Sequence, residues 1–584
     1  MTSDTGLALY ANRQGQGFVR QQIDIPALKD YYVVNAALVD LNNDGWLDIF
    51  FSTYRRGNYV IYNTGGQFTK EHLVRLPNHE DAIMSAAAAF GDVNKDGNLD
   101  IVLGNYSLGP WARDRSLLSS RNVVLLHDGE RFRVQPLREI HGETFSVLLS
   151  DFNNDGNLDL IVGNDHSPPD MYYIGNGDGS FQRITRDDGL IPHSTRTTMS
   201  VASADINNDL LPEIYVGQIS GNSGGDRIKN WRVGPEVCRE IVHPEHKKVC
   251  EEMIAVQRSI SKAHTTGDVF TCLSMEVQEY RKDCMAYHLL RQAAMQNGSQ
   301  ELCALFPDSY EIFSFICHHL PPQEEATSRG RAPREAEDWR QEIPSILQHN
   351  VLLMPTGDGR FVDKAREMGV QIGGWTWNAK FADVDNDEFV DLYVVNGYFP
   401  SSRHESNVFY HNQQGQRFVE HTAEAGLGSF LATSSYVYID MDNDGDLDII
   451  AVPVVGPILV YVNNSTTGHA IDFELRDYIG NRFGIGSKII IHYGVNGSRH
   501  QMREIQAGGG FISYDAPMAH FGLGEFAYVE RVEVLWSTGE RSDFHGDFAA
   551  GSRYIITRQK PMPGVSGDNV YPKRTELPPP TNFQ

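Results

Sequence analysis

The sequence lacks the long apolar runs that mark a membrane segment or a secretory leader. No stretch of about 18 apolar residues occurs, and the longest candidate, residues 449–462, is interrupted by Pro453 and Pro457. The sequence therefore predicts no transmembrane segment. The first residues, Met1 to Gly6, contain no apolar core, so we expect no signal peptide in this chain. If the protein is exported, this pattern predicts a processed form with an added Met.

Basic residues are also scarce relative to acidic ones. The chain has 50 Lys and Arg against 76 Asp and Glu, which gives a formal net charge of -26. Because phosphate binding requires clustered cations, this balance argues against nucleic acid as a partner. With 41% hydrophobic and 22% charged residues, the composition is otherwise typical of a folded globular protein.

Several catalytic and recognition motifs are missing. The sequence has no His-Glu-x-x-His, Gly-Lys-Ser/Thr, paired dinucleotide glycines, Cys-x-x-Cys or Arg-Gly-Asp. The first four of these motifs place a metal-binding helix, a phosphate loop, a dinucleotide-binding turn or a redox pair in a known local geometry. Their absence leaves no catalytic constellation in the sequence and favours a protein that is not an enzyme.

One acidic segment of nine residues is present six times. Oxygen-bearing side chains stand at positions 1, 3, 5 and 9, and position 6 is glycine in four copies. The predicted metal ligands, with position 7 contributing its main-chain carbonyl, are Asp40, Asn42, Asp44, Trp46, Asp48; Asp92, Asn94, Asp96, Asn98, Asp100; Asp151, Asn153, Asp155, Asn157, Asp159; Asp205, Asn207, Asp209, Leu211, Glu213; Asp383, Asp385, Asp387, Phe389, Asp391; and Asp440, Asp442, Asp444, Asp446, Asp448.

An all-oxygen shell of this kind suits a hard cation, and we expect calcium in up to six loops. Without an ion, the carboxylates of one loop repel one another. The alternative is a set of Asx turns that need no metal. Turns, however, do not require acidic side chains at four fixed offsets.

The residues that flank the loops distinguish them from EF-hands, which have a helix on each side. Short β-branched runs follow the loops, as in residues 99–104 and 447–452, and these predict buried strands. The next residues predict a strand, then a turn rich in Asn and Gly, and then a strand that begins with Phe. Residues 171–181 are an example. Each ion is therefore expected in a loop between two strands.

The loops recur at intervals of 52, 59, 54, 178 and 57 residues. A period of 50 to 60 residues with four strands is typical of a β-propeller blade. The N-terminal segment 7–18 has the pattern of the third and fourth strands alone, and we expect it to help close the ring. The fold class predicted is mainly β: a calcium-binding β-propeller, with seven blades favoured and six an alternative.

These repeats resemble the FG-GAP or VCBS repeats of integrin α-subunit propellers, which implies calcium in hairpin loops on one face. Two copies depart at position 6, where Leu210 and Glu388 replace glycine. If this position requires a positive φ, Leu210 costs on the order of 1 kcal/mol. We therefore expect the loop that begins at Asp205 to bind most weakly or to be empty.

The chain is predicted to consist of a first propeller part at 1–218, a helical insert at 219–345, a second propeller part at 346–466, a C-terminal β domain at 467–558 and a Pro-rich tail at 559–584. The insert should project between the second and third strands of the fourth blade. All six cysteines fall in it: Cys238, Cys250, Cys272, Cys284, Cys303 and Cys317.

The cysteines are interpreted as structural disulfides, with a metal site or free thiols as alternatives. Six cysteines allow 15 pairings, among which the sequence does not choose. Cys272 and Cys284 are 12 residues apart, or about 18 Å on one continuous helix, whereas a disulfide needs Cα atoms about 5.5 Å apart. We therefore expect these two not to pair if the helix is continuous. Disulfides indicate a compartment outside the reducing cytoplasm.

The C-terminal domain resembles the ASPIC/UnbV domain of cartilage acidic protein-like proteins. The resemblance rests on residues 481–494, 501–504, 508–511, 520–524 and 532–536. Arg503, Glu504 and His520 form a candidate polar site there, with an internal salt bridge and a capped turn as the alternative. The tail from Lys560 is expected to be extended, either free or along a partner.

Two functions remain open at this stage. The favoured one is an exported calcium-binding interaction or adhesion scaffold, secreted, periplasmic or on the cell surface, with a protein or glycan partner. The alternative is an enzyme or accessory subunit of a biosynthetic or redox complex, with its site in the insert or the ASPIC/UnbV-like domain.

Overall fold

A computed structural model describes residues 31–106, 120–219, 244–306, 344–559 and 570–576. It excludes residues 81, 138–141, 166–167, 276–277, 297–298, 348, 398–405, 430, 455 and 465–466 within these ranges. Residues 2–3, 6–13, 17–21, 23, 25, 28, 238, 314 and 317 are also described. The remaining residues, including most of the predicted tail, lie outside the description.

The described N-terminal residues form two small antiparallel pairs, and each of the six acidic loops connects the first and second strands of a larger antiparallel sheet. The small pairs are β1 (Thr2–Ser3) with β2 (Gly6–Leu7), and β3 (Leu9–Asn12) with β4 (Phe18–Gln21). The first sheet contains β5 (Val33–Val39), β6 (Asp48–Thr53), β7 (Gly57–Ile61) and β8 (Leu73–Leu76). The second contains β9 (Ser85–Gly91), β10 (Asp100–Asn105), β11 (Val123–His127) and β12 (Phe132–Pro136). The third contains β13 (Glu143–Ser150), β14 (Asp159–Asp165), β15 (Met171–Gly175) and β16 (Phe181–Arg183).

A short parallel pair, β17 (His193–Thr195) and β20 (Ser345–Leu347), lies beside the fourth sheet. The fourth sheet contains β18 (Thr198–Ala204), β19 (Glu213–Gln218), β21 (Val351–Pro355) and β22 (Phe361–Asp363). A one-turn helix (Ala365–Met368) follows it. The fifth contains β23 (Thr376–Ala382), β24 (Asp391–Asn396), β25 (Val408–Asn412) and β26 (Phe418–Glu420), and the sixth contains β27 (Thr433–Ile439), β28 (Asp448–Pro453) and β29 (Leu459–Tyr461).

Glycines in the second strands allow neighbouring sheets to pack closely. Gly104, Gly163 and Gly217 each face a threonine methyl group on the first strand of the next sheet. A Cβ atom at any of these glycines would lie 2.7 Å from that methyl carbon, which is closer than van der Waals contact. The same packing contact is thus repeated from sheet to sheet, as expected for stacked copies of one repeat.

The described residues of the insert are largely helical. It contains α1 (Pro244–Thr266), α2 (Val269–Leu273), α3 (Gln278–Met295) and α4 (Gln300–Cys303). It leaves the fourth sheet after β19 and returns at β21, between the second and third strands. Because β18 ends at the metal loop and β19 runs back from it, the insert starts at the opposite end of the sheet from the loop.

The expectation that Cys272 and Cys284 do not pair was wrong. These two residues form a disulfide with a Cα–Cα distance of 5.4 Å. Its premise of a continuous helix fails, because α2 ends at Leu273 and α3 begins at Gln278. Cys303 pairs with Cys317, and Cys238 is also disulfide-bonded. The side chain of Cys250 lies outside the described residues.

The C-terminal domain consists of two four-stranded sheets. Its strands are β30 (His469–Asp477), β31 (Lys488–Tyr493), β32 (Arg499–Glu504), β33 (Met518–Gly524), β34 (Tyr528–Leu535), β35 (Arg541–Ala549), β36 (Ser552–Arg558) and β37 (Val570–Glu576). The sheet orders are β33-β30-β36-β37 and β32-β31-β34-β35. Since residues 570–576 pair with β36, this part of the predicted tail belongs to a sheet rather than extending freely.

Residues 506–515, here called the central segment, lie among the first strands of the six sheets. The amide of Gly509 donates to the Val147 carbonyl, and the Gly509 carbonyl accepts from the amide of Val201. Further hydrogen bonds join the segment to the first strands of the other four sheets, at Asn35, Phe90, Asn378 and Tyr438. This one loop of the C-terminal domain therefore contacts the first strand of each of the six sheets.

Candidate metal centres

Each acidic loop is folded back by two residues in the left-handed region. At position 4, φ lies between 58° and 60° in all six loops, and at position 6 it lies between 66° and 94°. Leu210 and Glu388, the two departures from glycine, have φ values of 66° and 87°. Position 6 thus requires a positive φ in these loops too, at a cost of about 1 kcal/mol for a non-glycine residue.

Hydrogen bonds from the loop backbone hold the carboxylates of positions 1 and 9. In the first loop, Asp40 accepts from the amides of Asp44 at 3.2 Å and Gly45 at 2.8 Å. Asp48 accepts from the amide of Leu41 at 3.0 Å and from that of Asn63, two residues beyond the third strand, at 2.8 Å. Local sequence therefore determines the direction of these carboxylates.

The fourth, fifth and sixth loops contain buried carboxylate oxygens that have no hydrogen-bond donor among the described residues. They are Glu213 Oε1, Asp385 Oδ1, Asp391 Oδ2 and Asp440 Oδ1. In the sixth loop, one oxygen each of Asp440, Asp442 and Asp448 lie within 4.8 Å of one another. Because a buried anionic oxygen without a partner is costly, these residues fit a divalent cation that would supply the missing interaction.

Burial raises the pKa values of the six carboxyl groups at position 9 of the loops. Loss of hydration is the largest cause for Asp48, whose pKa rises to about 7, and for Asp100 and Asp159, whose pKa values rise to about 8. The pKa of Glu213 rises to about 9 for the same reason. A bound cation stabilises the ionised forms that burial disfavours.

The C-terminal domain covers the end of the sheets at which the metal loops lie. Arg482 donates to the carbonyl of Asn43 at 2.7 Å, and Lys488 lies 2.7 Å from the Asp151 carboxylate. Arg553 lies 3.1 Å from Asp440. Three cations of this domain therefore contact the first, third and sixth loops, whereas the insert starts from the opposite end.

The three residues of the predicted polar site have separate hydrogen-bond partners, and Glu504 and His520 each contact an acidic loop. Glu504 accepts from the Ser150 hydroxyl at 2.5 Å and the Asp151 amide at 3.0 Å. His520 contacts Asn386 at 2.8 Å through Nε2 and Asp472 through Nδ1. The guanidinium of Arg503 donates to Gln501 and to the Met502 carbonyl. Among the described residues, Arg503 and Glu504 form no ion pair with each other, whereas the buried His520 lies 2.9 Å from the Asp472 carboxylate.

Arg503, Glu504 and His520 nevertheless line one cavity of about 440 Å³ between the C-terminal domain and the loops. Asp205, Asp383 and Asp440, the first residues of three loops, line it as well. The sequence-predicted polar residues and metal ligands are thus brought to a shared space.

Two kinds of functional residue were missed in the sequence. Asparagine at position 4 joins neighbouring loops: Asn43 donates to the Gly97 carbonyl at 2.9 Å, and Asn386 to Asp446 at 2.7 Å. Asparagine tolerates the left-handed region, so its recurrence at this position was a usable signal. His411 was also missed, because it lies 20 residues beyond the fifth loop and no local pattern links it to the carboxylates.

Comparisons with known families agree with this arrangement. A model described as FG-GAP-like repeat matches residues 40–103 and 151–216, and one described as ASPIC and UnbV matches residues 478–562. The chain therefore contains FG-GAP-like repeats and a C-terminal ASPIC and UnbV domain, which confirms the resemblance. The fifth and sixth loops lie outside the matched residues.

The relatives found are cartilage acidic proteins and integrin α-subunits. Human cartilage acidic protein 1 is 29% identical over 170 residues, which cover 27% of this chain and 24% of that protein. Mouse integrin alpha-7 is 30% identical over 146 residues, 23% of this chain and 11% of that protein. The chain thus spans about a quarter or less of the length of these relatives.

One solved structure, of an Agrocybe aegerita lectin described as recognising non-reducing terminal N-acetylglucosamine, aligns over 79% of this chain and 92% of its own. It is 11% identical with a TM-score of 0.33, and we infer nothing further from it.

Proposed function

We propose that the protein is an exported, calcium-stabilised interaction scaffold that binds a protein or glycan through the insert and the adjoining face of the sheets. The observation that carries this proposal is the position of the C-terminal domain. It contacts the metal loops through Arg482, Lys488 and Arg553, so that face is already covered by the chain itself. The opposite end, from which the insert leaves, remains for a partner.

The insert has the surface of an interaction module. Phe270 is 76% exposed and Leu273 is 51% exposed, both on the short helix that the Cys272–Cys284 disulfide holds. Leu305 is 65% exposed near the second disulfide. Exposed large apolar side chains on a rigid support are typical of binding sites for other proteins.

We further propose six blades around the central segment, rather than the seven favoured by the sequence. The first strands of six sheets contact residues 506–515, while β3 and β4 form only a two-stranded hairpin. In this arrangement the side chain of Asn12 donates to the carbonyl of Met441, so the N-terminal hairpin lies beside the sixth loop. This supports closure of a six-sheet ring by the hairpin, which protects a sheet edge.

Export is supported by the disulfides, which persist in oxidising compartments, where calcium near millimolar is also available. In the described part of the chain, no helix is long and apolar enough to cross a membrane. The two disulfides with described partners both hold the insert, Cys272–Cys284 and Cys303–Cys317. We therefore place the protein in a secreted, periplasmic or cell-surface location.

The partner proposal is tested by affinity capture from the extracellular or periplasmic fraction of the native source, together with a glycan array. The F270S/L273S double variant should lose the partner or glycan that the wild type binds. The matched control is V495S, because Val495 is 78% exposed on the C-terminal domain. Equal loss in both variants, or retention in the double variant, would contradict binding through the insert.

A second candidate function is favoured by the cavity of about 440 Å³ that Arg503, Glu504 and His520 line. This volume is within the range of small-molecule sites. As an accessory subunit or enzyme, the protein would bind a small ligand there. Thermal shift with a panel of small carboxylates, phosphate and amines tests this function: stabilisation in the wild type that is absent in R503Q would support it, and no response would exclude it.

A further inference from the structure

The fifth metal loop differs from the others because an imidazole faces it. His411 Nδ1 lies 3.1 Å from Asp391 Oδ1 and 3.4 Å from Asp385 Oδ2, and its Nε2 lies 3.9 Å from Asp387 Oδ2. One ligand atom each of Asp385, Asp391 and His411 lie within 4.8 Å of one another. Two ligands of one ion at about 2.1 Å are separated by about 3.0 to 3.4 Å, so one ion can contact this set.

The third strands of the other sheets place no imidazole at this position. His411 stands opposite Asp391, the residue at position 9, where β24 pairs with β25. The registers of the other sheets place apolar residues or tyrosine there: Tyr62, Leu126, Ile174, Met354 and Val462. Among the described residues, the group of three close ligand atoms at the fifth loop is the one such group that includes an imidazole.

A second observation indicates that an ion belongs between these groups. Asp391 is fully buried, and its Oδ2 has no hydrogen-bond partner among the described residues. In the first, second and sixth loops the corresponding oxygen accepts the amide of position 2, as Asp48 does from Leu41 at 3.0 Å. Oδ1 of Asp385 is likewise buried and without a partner. The fifth loop therefore holds two carboxylate oxygens away from water and from the backbone donors.

We propose that the fifth loop is a mixed carboxylate and imidazole site that binds a first-row transition dication, such as Zn²⁺ or Co²⁺, in preference to Ca²⁺. Imidazole is a good ligand for these ions, whereas Ca²⁺ takes oxygen ligands. Asp383, Asp385, Asp387 and Asp391 supply the oxygens, and His411 supplies the nitrogen. This inference rests on the proposal that the loops bind divalent cations, and it assigns a different class of ion to the fifth loop.

Co²⁺ provides a direct test, because its visible absorption reports the ligands of the ion. The full chain is freed of metal by dialysis against chelator, loaded with excess Ca²⁺ and titrated with Co²⁺. We expect one equivalent to bind with visible d–d bands in the presence of excess Ca²⁺. The H411N variant should bind Co²⁺ at least about tenfold more weakly, since loss of even an outer partner of a metal ligand costs about 10 to 100-fold.

H421N is the matched control, because the exposed ring of His421 lies beside that of His411, 5.7 Å between centroids, without an ion pair to the loop. It should bind Co²⁺ as the wild type does. If the wild type binds Ca²⁺ but no Co²⁺ in excess Ca²⁺, the present inference is overturned and the calcium proposal stands. If H411N binds one more Ca²⁺ than the wild type, His411 acts as an internal cation, which also overturns it. If no ion of either kind binds, the calcium proposal itself fails.

Discussion

The carboxylate of Glu388 lies 2.6 Å from the Arg499 guanidinium and joins the fifth metal loop to the C-terminal domain. The same oxygen accepts a hydrogen bond from the Tyr493 hydroxyl at 2.6 Å. These contacts account for a glutamate at a position of positive φ, where glycine is found in four of the loops. The residue that replaces glycine in this loop therefore forms a contact between the loop and the C-terminal domain.

We expect E388Q to lower the free energy of unfolding by about 1 kcal/mol, because the amide keeps a hydrogen bond but loses the charge that pairs with Arg499. Chemical denaturation measures the change. A double-mutant cycle with R499Q isolates the coupling of the pair. D547N, at an exposed aspartate of the same domain, should have no effect, and a coupling near zero would contradict the assignment.

Removal of calcium should destabilise the protein. For a site with Kd of about 10 μM in about 1 mM Ca²⁺, binding contributes about 2.7 kcal/mol, and several such sites act together. We expect the Tm of the metal-free protein to be lower by many degrees and to recover with Ca²⁺ but much less with Mg²⁺. An identical Tm with and without Ca²⁺ would be incompatible with calcium in the loops.

The stabilisation by calcium should increase with pH. In the ion-free fold, burial raises the pKa of Asp48 from 3.8 to about 7 and those of Asp100 and Asp159 to about 8. The raised pKa values mean that the folded protein binds more protons than the unfolded chain, so these groups stabilise the fold most below about pH 4, and their contribution falls as pH rises from about 4 to about 8. Calcium offsets this loss. The difference in Tm between calcium-loaded and metal-free protein should therefore be larger at pH 8 than at about pH 5, and a constant difference would contradict it.

Leu210 should weaken the fourth loop. Its φ of 66° is unfavourable for a residue with a Cβ atom. L210G should therefore raise the free energy of unfolding by about 1 kcal/mol, or raise the calcium affinity of this loop about fivefold. Calorimetric titration measures the affinity. L211G, at the next position, is the control and should give no gain, because Leu211 is not among the residues with positive φ.

Gly509 should be indispensable in the central segment. Its φ is 82°, and a Cβ atom there would lie 2.3 Å from the Val201 carbonyl oxygen. G509A should lower the free energy of unfolding by about 1 to 3 kcal/mol, since backbone must shift. Gly546, where an added Cβ atom would have no neighbour within 4 Å, provides the control G546A. Equal Tm values for both variants would show that the close contact is not present in solution.

Much of the local architecture could be predicted from the sequence. The spacing of Asp440, Asp442, Asp444 and Asp448 identifies a loop, and the run that follows identifies the buried strand β28. The requirement for a positive φ at Leu210 also follows from comparison with the glycine-containing copies. These features depend on neighbouring residues, whose side-chain spacing and backbone preferences are visible in the chain.

The sequence did not predict features that depend on a short break in a helix or on contacts between residues far apart in the chain. The break between Leu273 and Gln278 is only a few residues long, yet it allows Cys272 and Cys284 to pair. Arg503, Glu504 and His520 line one cavity, but the different hydrogen-bond partner of each could not be read from the sequence. Residue type indicates what a side chain can bind, whereas its partner depends on which elements pack against it.

The sequence by itself determined the six acidic loops, the strands beside them, and the resemblance to FG-GAP repeats and to the ASPIC/UnbV domain. Only the tertiary structure decided that the C-terminal domain covers the loops, that residues 506–515 contact all six first strands, and that His411 faces Asp385 and Asp391. The reason is physical: a loop is specified by residues within nine positions, whereas Gly509 and Val147 meet across 362 positions because burial of the whole chain brings them together.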